Sequence, residues 1–414
     1  MAKTTVIHIM THPPAYDEYS DKPRPEWTWD TSKGSWVGIW GYDWSDQLAI
    51  EIKKINNKLD HEIWQPDLRA DRIYSQEIFP GVIHRLFPAQ EKTKLIGLRK
   101  SSEVSSPAMI QFLYAENTNE VIFHIGQSVT SKINRDLLEF FTKAHFVFSF
   151  HGQITLPLVN LLRLQKNFFA KFHYLKEHIL TKKLFNRISF LTYQSNTNLN
   201  YLKFYYTGTM AKITMGIHFD KYRGYDKSQC RNELKLPLKK NILLTICRLY
   251  ELKQVDKVIE ILSTIEKDFL YIVVGHGTLE YQDYLKNKAE KLREQNKIIF
   301  AGYRTGKELV KYFSTADLFI HVSKAEAGPV VCMEAMACGV PILCTNTGNT
   351  AEVLKENSAG IVVGANNYKY WEKELINYLE GKAIKTLDLD IVKEHYEWGN
   401  IAKKFTAIYD KVRQ

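Results

Sequence analysis

The chain has 414 residues, of which 45% are hydrophobic, 25% charged and 13% aromatic, enough apolar material for packed cores and too much for a disordered tail. That length fits two domains. Lys and Arg number 56 against 46 Asp and Glu, a net charge of +10, which points to an anionic partner: nucleic acid, a lipid surface or a phosphorylated small molecule. Residues 1–15 hold one Lys and a short apolar stretch broken by His8, which does not read as a secretory leader. No window reaches the about 20 apolar residues needed to cross a bilayer. The cysteines Cys230, Cys247, Cys332, Cys338 and Cys344 include no C-x-x-C pair. They read as small core residues of a cytosolic protein rather than as a disulfide framework or a zinc site.

Short β-branched runs alternate with helical periods from end to end, which predicts parallel sheets covered by helices. The first-half strands are expected at Val6 to Met10, Glu62 to Trp64, Val121 to His124, Phe146 to Phe150 and Ile188 to Tyr193. Ser45 is the expected N-cap of a helix carrying Leu48, Ala49, Ile52, Ile55 and Leu59 on one face. Strands of the second half are expected at Ile242 to Ile246, Leu270 to Val274, Lys297 to Phe300, Leu318 to Val322 and Val340 to Cys344. Helices should begin near Lys253, Thr278, Thr305 and Pro329. The pattern predicts an α/β protein of two doubly wound domains. The turn-rich stretch from Gly216 to Lys240 reads as the linker between them.

Two segments depart from this rhythm. Between Thr11 and Trp44 there is no strand or helix period, yet the stretch holds Trp27, Trp29, Trp36, Trp40 and Trp44. A long loop this rich in indoles suits sugar surfaces, and Trp36, Gly38, Trp40, Gly41 and Trp44 are the candidate acceptor-binding residues. The alternative is that these rings roof an adjacent apolar surface. From Leu161 to Phe190 the only acid is Glu177, while Arg163, Lys166, Lys171, Lys176, Lys182, Lys183 and Arg187 interleave with Phe and Leu. Such a helix either lies on an anionic membrane surface or is a solvated helix whose apolar side packs inward.

The chemistry concentrates between Ser323 and Pro341. Glu326 follows an apolar strand, Pro329 suits the first turn of a helix, Glu334 falls one to two turns inside it, and Gly339 ends it. Two carboxylates then flank a helix N-terminus, which attracts phosphate while the carboxylates accept sugar hydroxyls. Upstream, Arg248 and Lys253 follow the first strand of the second half. A forked donor set and a point charge suit a diphosphate.

These residues resemble the donor-binding domain of retaining GT-B glycosyltransferases of family 4, whose signature is two Glu separated by seven residues. Further matches are Val274-Gly275-His276-Gly277, Phe300-Ala301-Gly302-Tyr303, Ala316-Asp317-Leu318-Phe319, Gly348 with Glu352, and Tyr396-Glu397-Trp398. The first half matches mainly through Phe150-His151-Gly152 and Met215-Gly216-Ile217. The resemblance implies two Rossmann-like domains facing a central cleft: an acceptor-binding domain over 1–215, a nucleotide-sugar donor-binding domain over 216–395, and a C-terminal helix over 396–414 returning to the first. It implies Arg248 and Lys253 on the donor diphosphate, Glu334 on the ribose, Glu326 on the transferred sugar and His151 as the active-site histidine. Gly275, Tyr303, Gly328, Val330 and Val331 complete the implied donor site. Departures from the pattern are Ala327 and Pro329 where Gly is usual, Gln254 and Asn349 where Gly is common, and Thr278 where Pro is common.

The resulting expectation is a retaining glycosyltransferase that moves a sugar from a nucleotide-diphosphate sugar to a glycan or lipid-linked acceptor in surface polysaccharide or glycolipid synthesis. Arg248, Lys253 and the helix start would stabilise the charge growing on the leaving diphosphate, so no metal and no cofactor is expected. The protein would be cytoplasmic, peripheral on the inner face of the cell membrane if 161–190 meets lipid. Competing readings are a non-catalytic nucleotide-sugar-binding protein, a GT-B sugar phosphorylase or epimerase, and a nucleic-acid binder. No helix-turn-helix, RNP-like or zinc motif supports the last.

Overall fold

The computed structural model describes residues 4–11, 29–30, 35–36, 44–96, 99–116, 121–126, 129–141, 143–151 and 168–414. Gly38, Trp40, Gly41 and residues 161–167 lie outside them, and Trp36 enters only as a strand residue. The chain divides into two compact units, Met1–Ile213 with Ile401–Gln414, and Thr214–Asn400. Both have the Rossmann-like α/β architecture.

The strands of the first unit are β1 (Thr4–Ile9), β2 (Trp29–Asp30), β3 (Ser35–Trp36), β4 (Leu59–Asp67), β5 (Tyr74–Phe79), β6 (Val82–Pro88), β7 (Gln90–Ile96), β8 (Arg99–Ser105), β9 (Val121–Gly126), β10 (His145–Phe150), β11 (Phe190–Tyr193) and β12 (Met210–Lys212). Eight form one sheet in the order β12-β11-β10-β9-β1-β4-β6-β5. Every pairing in it is parallel except the β5–β6 hairpin. The separate pairs β2–β3 and β7–β8 are antiparallel.

The two faces of this sheet differ in chemistry because side chains alternate along each strand. One face presents Ile7, Ile9, Trp64, Phe123, Ile125, Phe146 and Phe148, all buried in one apolar cluster with residues of the helices Pro107–Glu116, Lys132–Phe140 and Phe168–Phe185. The other presents His8, His61, His84, His124, Ser149 and Thr192, all buried. Register explains the grouping: His8 lies beside His124, and Ser149 beside Thr192. Tyr409, from the helix Trp398–Arg413, covers this polar face and hydrogen-bonds His124 Nδ1 at 2.6 Å.

The helix after the Trp-rich segment spans Trp44–Ile55, with Leu48, Ala49 and Ile52 buried as expected. Its apolar face stops short of the expected range. Ile55 is exposed and Leu59 opens β4 instead, because Asn56 to Lys58 form the turn between them. The polar strands β5, β7 and β8 carry no apolar alternation, so periodicity does not reveal them.

The second unit contains β13 (Asn241–Ile246), β14 (Phe269–Val274), β15 (Ile298–Gly302), β16 (Leu318–His321), β17 (Ile342–Thr345) and β18 (Ile361–Val363). They form one all-parallel sheet in the order β15-β14-β13-β16-β17-β18. The order reverses direction between β13 and β16, and open sheets of this kind bind ligands beyond the carboxyl ends of the strands at that point. Helices begin at Val255, Leu279, Gly306 and Val330. The stretch 216–240 is not an open connection. It contains the helix Lys227–Glu233, and its Arg231, 4% exposed, donates to the Thr315 and Leu238 carbonyls and to Asp317.

Candidate active site

In the second unit the expected donor residues lie beyond the carboxyl ends of neighbouring strands, with Arg248 and Glu326 at the switch point between β13 and β16. Arg248 follows β13, Glu326 follows β16, and Gly275 and Tyr303 follow the ends of β14 and β15. Lys253 ends the short 3-10 turn Glu251–Lys253. That turn is tied to the loop after β16, since the Lys324 amide donates to the Leu252 carbonyl at 2.8 Å and Ser323 Oγ to the same oxygen at 3.1 Å. This docking brings Lys253 and Glu326 into a half-buried ion pair through Glu326 Oε1. His321, 4% exposed at the end of β16, donates from Nε2 to that same oxygen at 2.9 Å.

The two carboxylates sit in opposite electrostatic environments. Burial alone would raise the Glu326 pKa, but the His321 hydrogen bond and the Lys253 charge outweigh it and hold the group at about 2. Burial likewise opposes the Lys253 ammonium, and Glu326 more than compensates, so its pKa rises. Glu334, in the middle of the helix Val330–Ala337, is shifted upward by burial against the opposing hydrogen bond from Tyr222. Glu326 is therefore held as an anion, whereas burial works against the charge on Glu334.

The helix begins one residue later than expected, with Pro329 as its N-cap. Its first amides, Val330 and Val331, have no carbonyl within the helix to bond and stand beside Gly328 and the Glu326 loop. Gly348 closes the other side at φ +72°, where a Cβ would lie 3.0 Å from the Ala327 carbonyl and 3.1 Å from Glu326 Cβ. Next to it the Asn349 amide donates to that carbonyl at 2.8 Å. Gly275 has a packing reason: at φ +143° its Cβ would stand 1.9 Å from the Cys247 carbonyl.

Gln254 accounts for a departure seen in the sequence. It is left-handed at φ 53°, the conformation that makes Gly common there. Its side chain compensates, donating to the Val322 carbonyl at 2.7 Å and the Ala365 carbonyl at 3.1 Å while accepting from Tyr368. It thereby fixes the turn that carries Lys253.

In the first unit His151 stands at the carboxyl end of β10, beside Gly126 at the end of β9. Gln194, just past β11, donates from Nε2 to His151 Nδ1 at 2.8 Å. The proton of the neutral ring is then on Nε2, which is buried and has no partner among the described residues. Burial lowers the His151 pKa to about 4, so the ring is neutral at physiological pH. Trp44 is the first residue of its helix rather than part of an open loop. Its ring lies 4.2 Å from that of His151 and 5.7 Å from that of Phe405, and its Nε1 is likewise buried without a partner among the described residues. Three polar atoms, on His151, Trp44 and Gln194, are thus desolvated and unpaired together within that set.

Sequence reasoning passes over His321, Tyr222 and Gln194. The available signal for His321 is a titratable residue inside the apolar run Leu318 to Val322, five positions before Glu326. Tyr222 has no local signal, since it lies in the stretch that reads as a linker.

A model of glycosyl transferases group 1 matches residues 226–404. Among curated proteins, an uncharacterized glycosyltransferase of Methanocaldococcus jannaschii is 26% identical over 193 residues, 44% of this chain and 48% of that protein. D-inositol 3-phosphate glycosyltransferase of Mycobacterium leprae is 26% identical over 211 residues, 48% of this chain and 49% of that protein. The chain spans about half the length of the curated relatives it matches. Solved structures match over nearly all of it. Sucrose-phosphate synthase from Thermosynechococcus elongatus aligns at TM-score 0.71 and 16% identity over 99% of both chains. Anabaena HepE in complex with UDP aligns at TM-score 0.66 and 14% identity over 99% of this chain and 100% of that one. The chain has the GT-B fold of two Rossmann-like domains, and its residues 226–404 are related to the glycosyl transferases group 1.

Proposed function

We propose that the protein is a retaining glycosyltransferase that transfers a sugar from a nucleotide-diphosphate sugar to a glycan or lipid-linked acceptor in surface polysaccharide or glycolipid synthesis. The observation that carries this reading is the Lys253, Glu326 and His321 cluster at the switch point of the second sheet, next to the start of the helix Val330–Ala337. Similar folds solved with UDP-glucose and with UDP and GlcNAc support it.

In this reading Arg248 and Lys253 hold the diphosphate, and the amides of Val330 and Val331 face the charge that grows on it as the bond to the anomeric carbon breaks. Glu326, pinned by His321, accepts hydroxyls of the transferred sugar, and Glu334 accepts those of the ribose. His151 presents a neutral Nε2–H donor, held by Gln194, and Trp44 with the preceding indole-rich segment shapes the acceptor site. The protein works on the cytoplasmic side, with no need of a divalent ion.

A nucleotide-sugar panel screened by thermal shift, followed by transfer assays with and without EDTA, tests the reading. The expected result is stabilisation by one nucleotide diphosphate and its sugar, and turnover that survives EDTA with the anomeric configuration kept. Release of a sugar 1-phosphate dependent on inorganic phosphate would assign a phosphorylase instead. Donor binding without turnover on any acceptor or water would leave a binding protein.

A further inference from the structure

The helix Phe168–Phe185 admits two readings from sequence, and its side chains divide between an inward and an outward set. Thr181, Leu184 and Phe185 face inward and are buried, and His178 Nδ1 bonds the Tyr205 hydroxyl at 2.8 Å. Among its described side chains the solvent-facing ones are Phe172, Leu175, Lys176, Ile179, Lys182 and Lys183. A 3.6-residue period puts all six on one side of the helix, while Glu177 falls on the opposite side. Phe172 is 65% exposed, Ile179 62% and Leu175 44%. Phe204, 53% exposed in the helix Leu199–Tyr205, lies with its ring 5.8 Å from that of His178.

The helix thus packs Leu180, Leu184 and Phe185 against the core and still leaves a second apolar group in solvent. Large apolar residues clustered in water are costly, and such patches mark interaction surfaces. Lysines interleaved with them narrow the partner. Their ammonium groups suit phosphate head groups, their stems add to the apolar surface, and the Phe, Leu and Ile side chains suit the acyl boundary beneath. We propose that this face of the first unit, centred on Phe172, Ile179, Lys182 and Lys183, docks on an anionic lipid bilayer. The proposal extends the reading above, in which the acceptor is a glycan or lipid-linked, but its geometry does not depend on donor chemistry.

Co-sedimentation with vesicles tests it, using phosphatidylcholine alone and phosphatidylcholine with about 30% phosphatidylglycerol, a proportion of roughly physiological surface charge. The full chain should pellet with the anionic vesicles and at least about tenfold less with the zwitterionic ones. Replacing Lys182 and Lys183 by Ala should weaken binding by about fivefold per lysine. Phe172→Ser with Ile179→Ser should weaken it at high salt as well, where screening has already removed the charge contribution. All four side chains are exposed, so each variant should keep the melting temperature of the parent. Absence of binding to anionic vesicles overturns the proposal. So does binding that neither pair affects, or a concentration-dependent dimer that the same substitutions dissolve. Sugar transfer to a soluble acceptor, measured in parallel, reads the enzymatic assignment separately: a parent chain that transfers sugar but binds no anionic vesicles refutes only the membrane surface.

Discussion

Single side chains set the electrostatics of the candidate site residues in each unit. Lys253 and His321 converge on one oxygen of Glu326, so removing either leaves a half-buried carboxylate with one partner. Lys253→Met should weaken binding of the nucleotide diphosphate by about 10- to 100-fold, the range for a charged hydrogen bond. Titration calorimetry measures it. His321→Leu should leave that affinity near the parent value and lower transfer, because it frees Glu326 rather than the diphosphate contact. His151 gives a sharper test. With Gln194 the neutral ring keeps its proton on Nε2 and a pKa of about 4. Gln194→Glu would accept from Nδ1 and stabilise the imidazolium, moving the His151 titration upward by about one to three pH units. NMR titration of the His151 ring should record that shift, and the acid limb of the kcat profile should move with it. Gln194→Leu should lower activity with no such upward shift.

Elements place these side chains through close backbone approaches. The chain after β13 runs against the chain after β14, with Leu249 bridged to Gly277 and the Cys247 carbonyl over Gly275. That contact sets the position of Arg248. Gly275→Ala should cost about 3 kcal/mol or more, since a Cβ meets backbone that cannot move aside. Gly302 offers the control: its φ is +74°, yet a Cβ there would meet nothing within 4 Å among the described residues. Gly302→Ala should therefore cost only the about 1 to 2 kcal/mol of a left-handed residue. Denaturant unfolding of the two variants compares them. The helix Val330–Ala337 is short, and its orientation comes from packing: Cys332, Met333, Ala335 and Met336 are buried in the core of the second unit. Glu334 projects on the remaining side, where Tyr222 meets it.

Over the whole molecule, the histidine-lined face of the first sheet governs behaviour in acid. Burial holds His8 and His124 well below the usual 6.5, His61 at about 3 and His151 at about 4. The unfolded chain binds protons on these rings near pH 6.5 while the folded one does not, so stability falls as pH drops through 6.5 toward 4. Glu326 adds a later loss, present above its ordinary 4.5 and disappearing toward about 2. The melting temperature should fall between about pH 7 and pH 5, and His61→Gln should flatten that slope. Much of this architecture is legible in the sequence: the apolar runs that become β1, β9, β10 and β13 to β17, and the spacing of Glu326 and Glu334 beyond a strand. Those features are local, since a buried strand must be apolar and a helix start must follow its loop. The polar hairpin strands β5, β7 and β8 are not legible, because they have no buried alternation to announce them. The partners of Glu326 and Glu334, the Gln194 bond to His151 and the apolar side chains that the basic helix leaves in solvent are not legible either. Each depends on which residues the fold brings together from distant positions, as with Lys253 and Glu326 or His124 and Tyr409. Sequence by itself determined the two α/β units and the residue types available for a diphosphate and a sugar. Tertiary structure alone decided which of them share an oxygen, which lose water, and which face of a helix is left exposed, because burial and charge pairing are properties of neighbours in space.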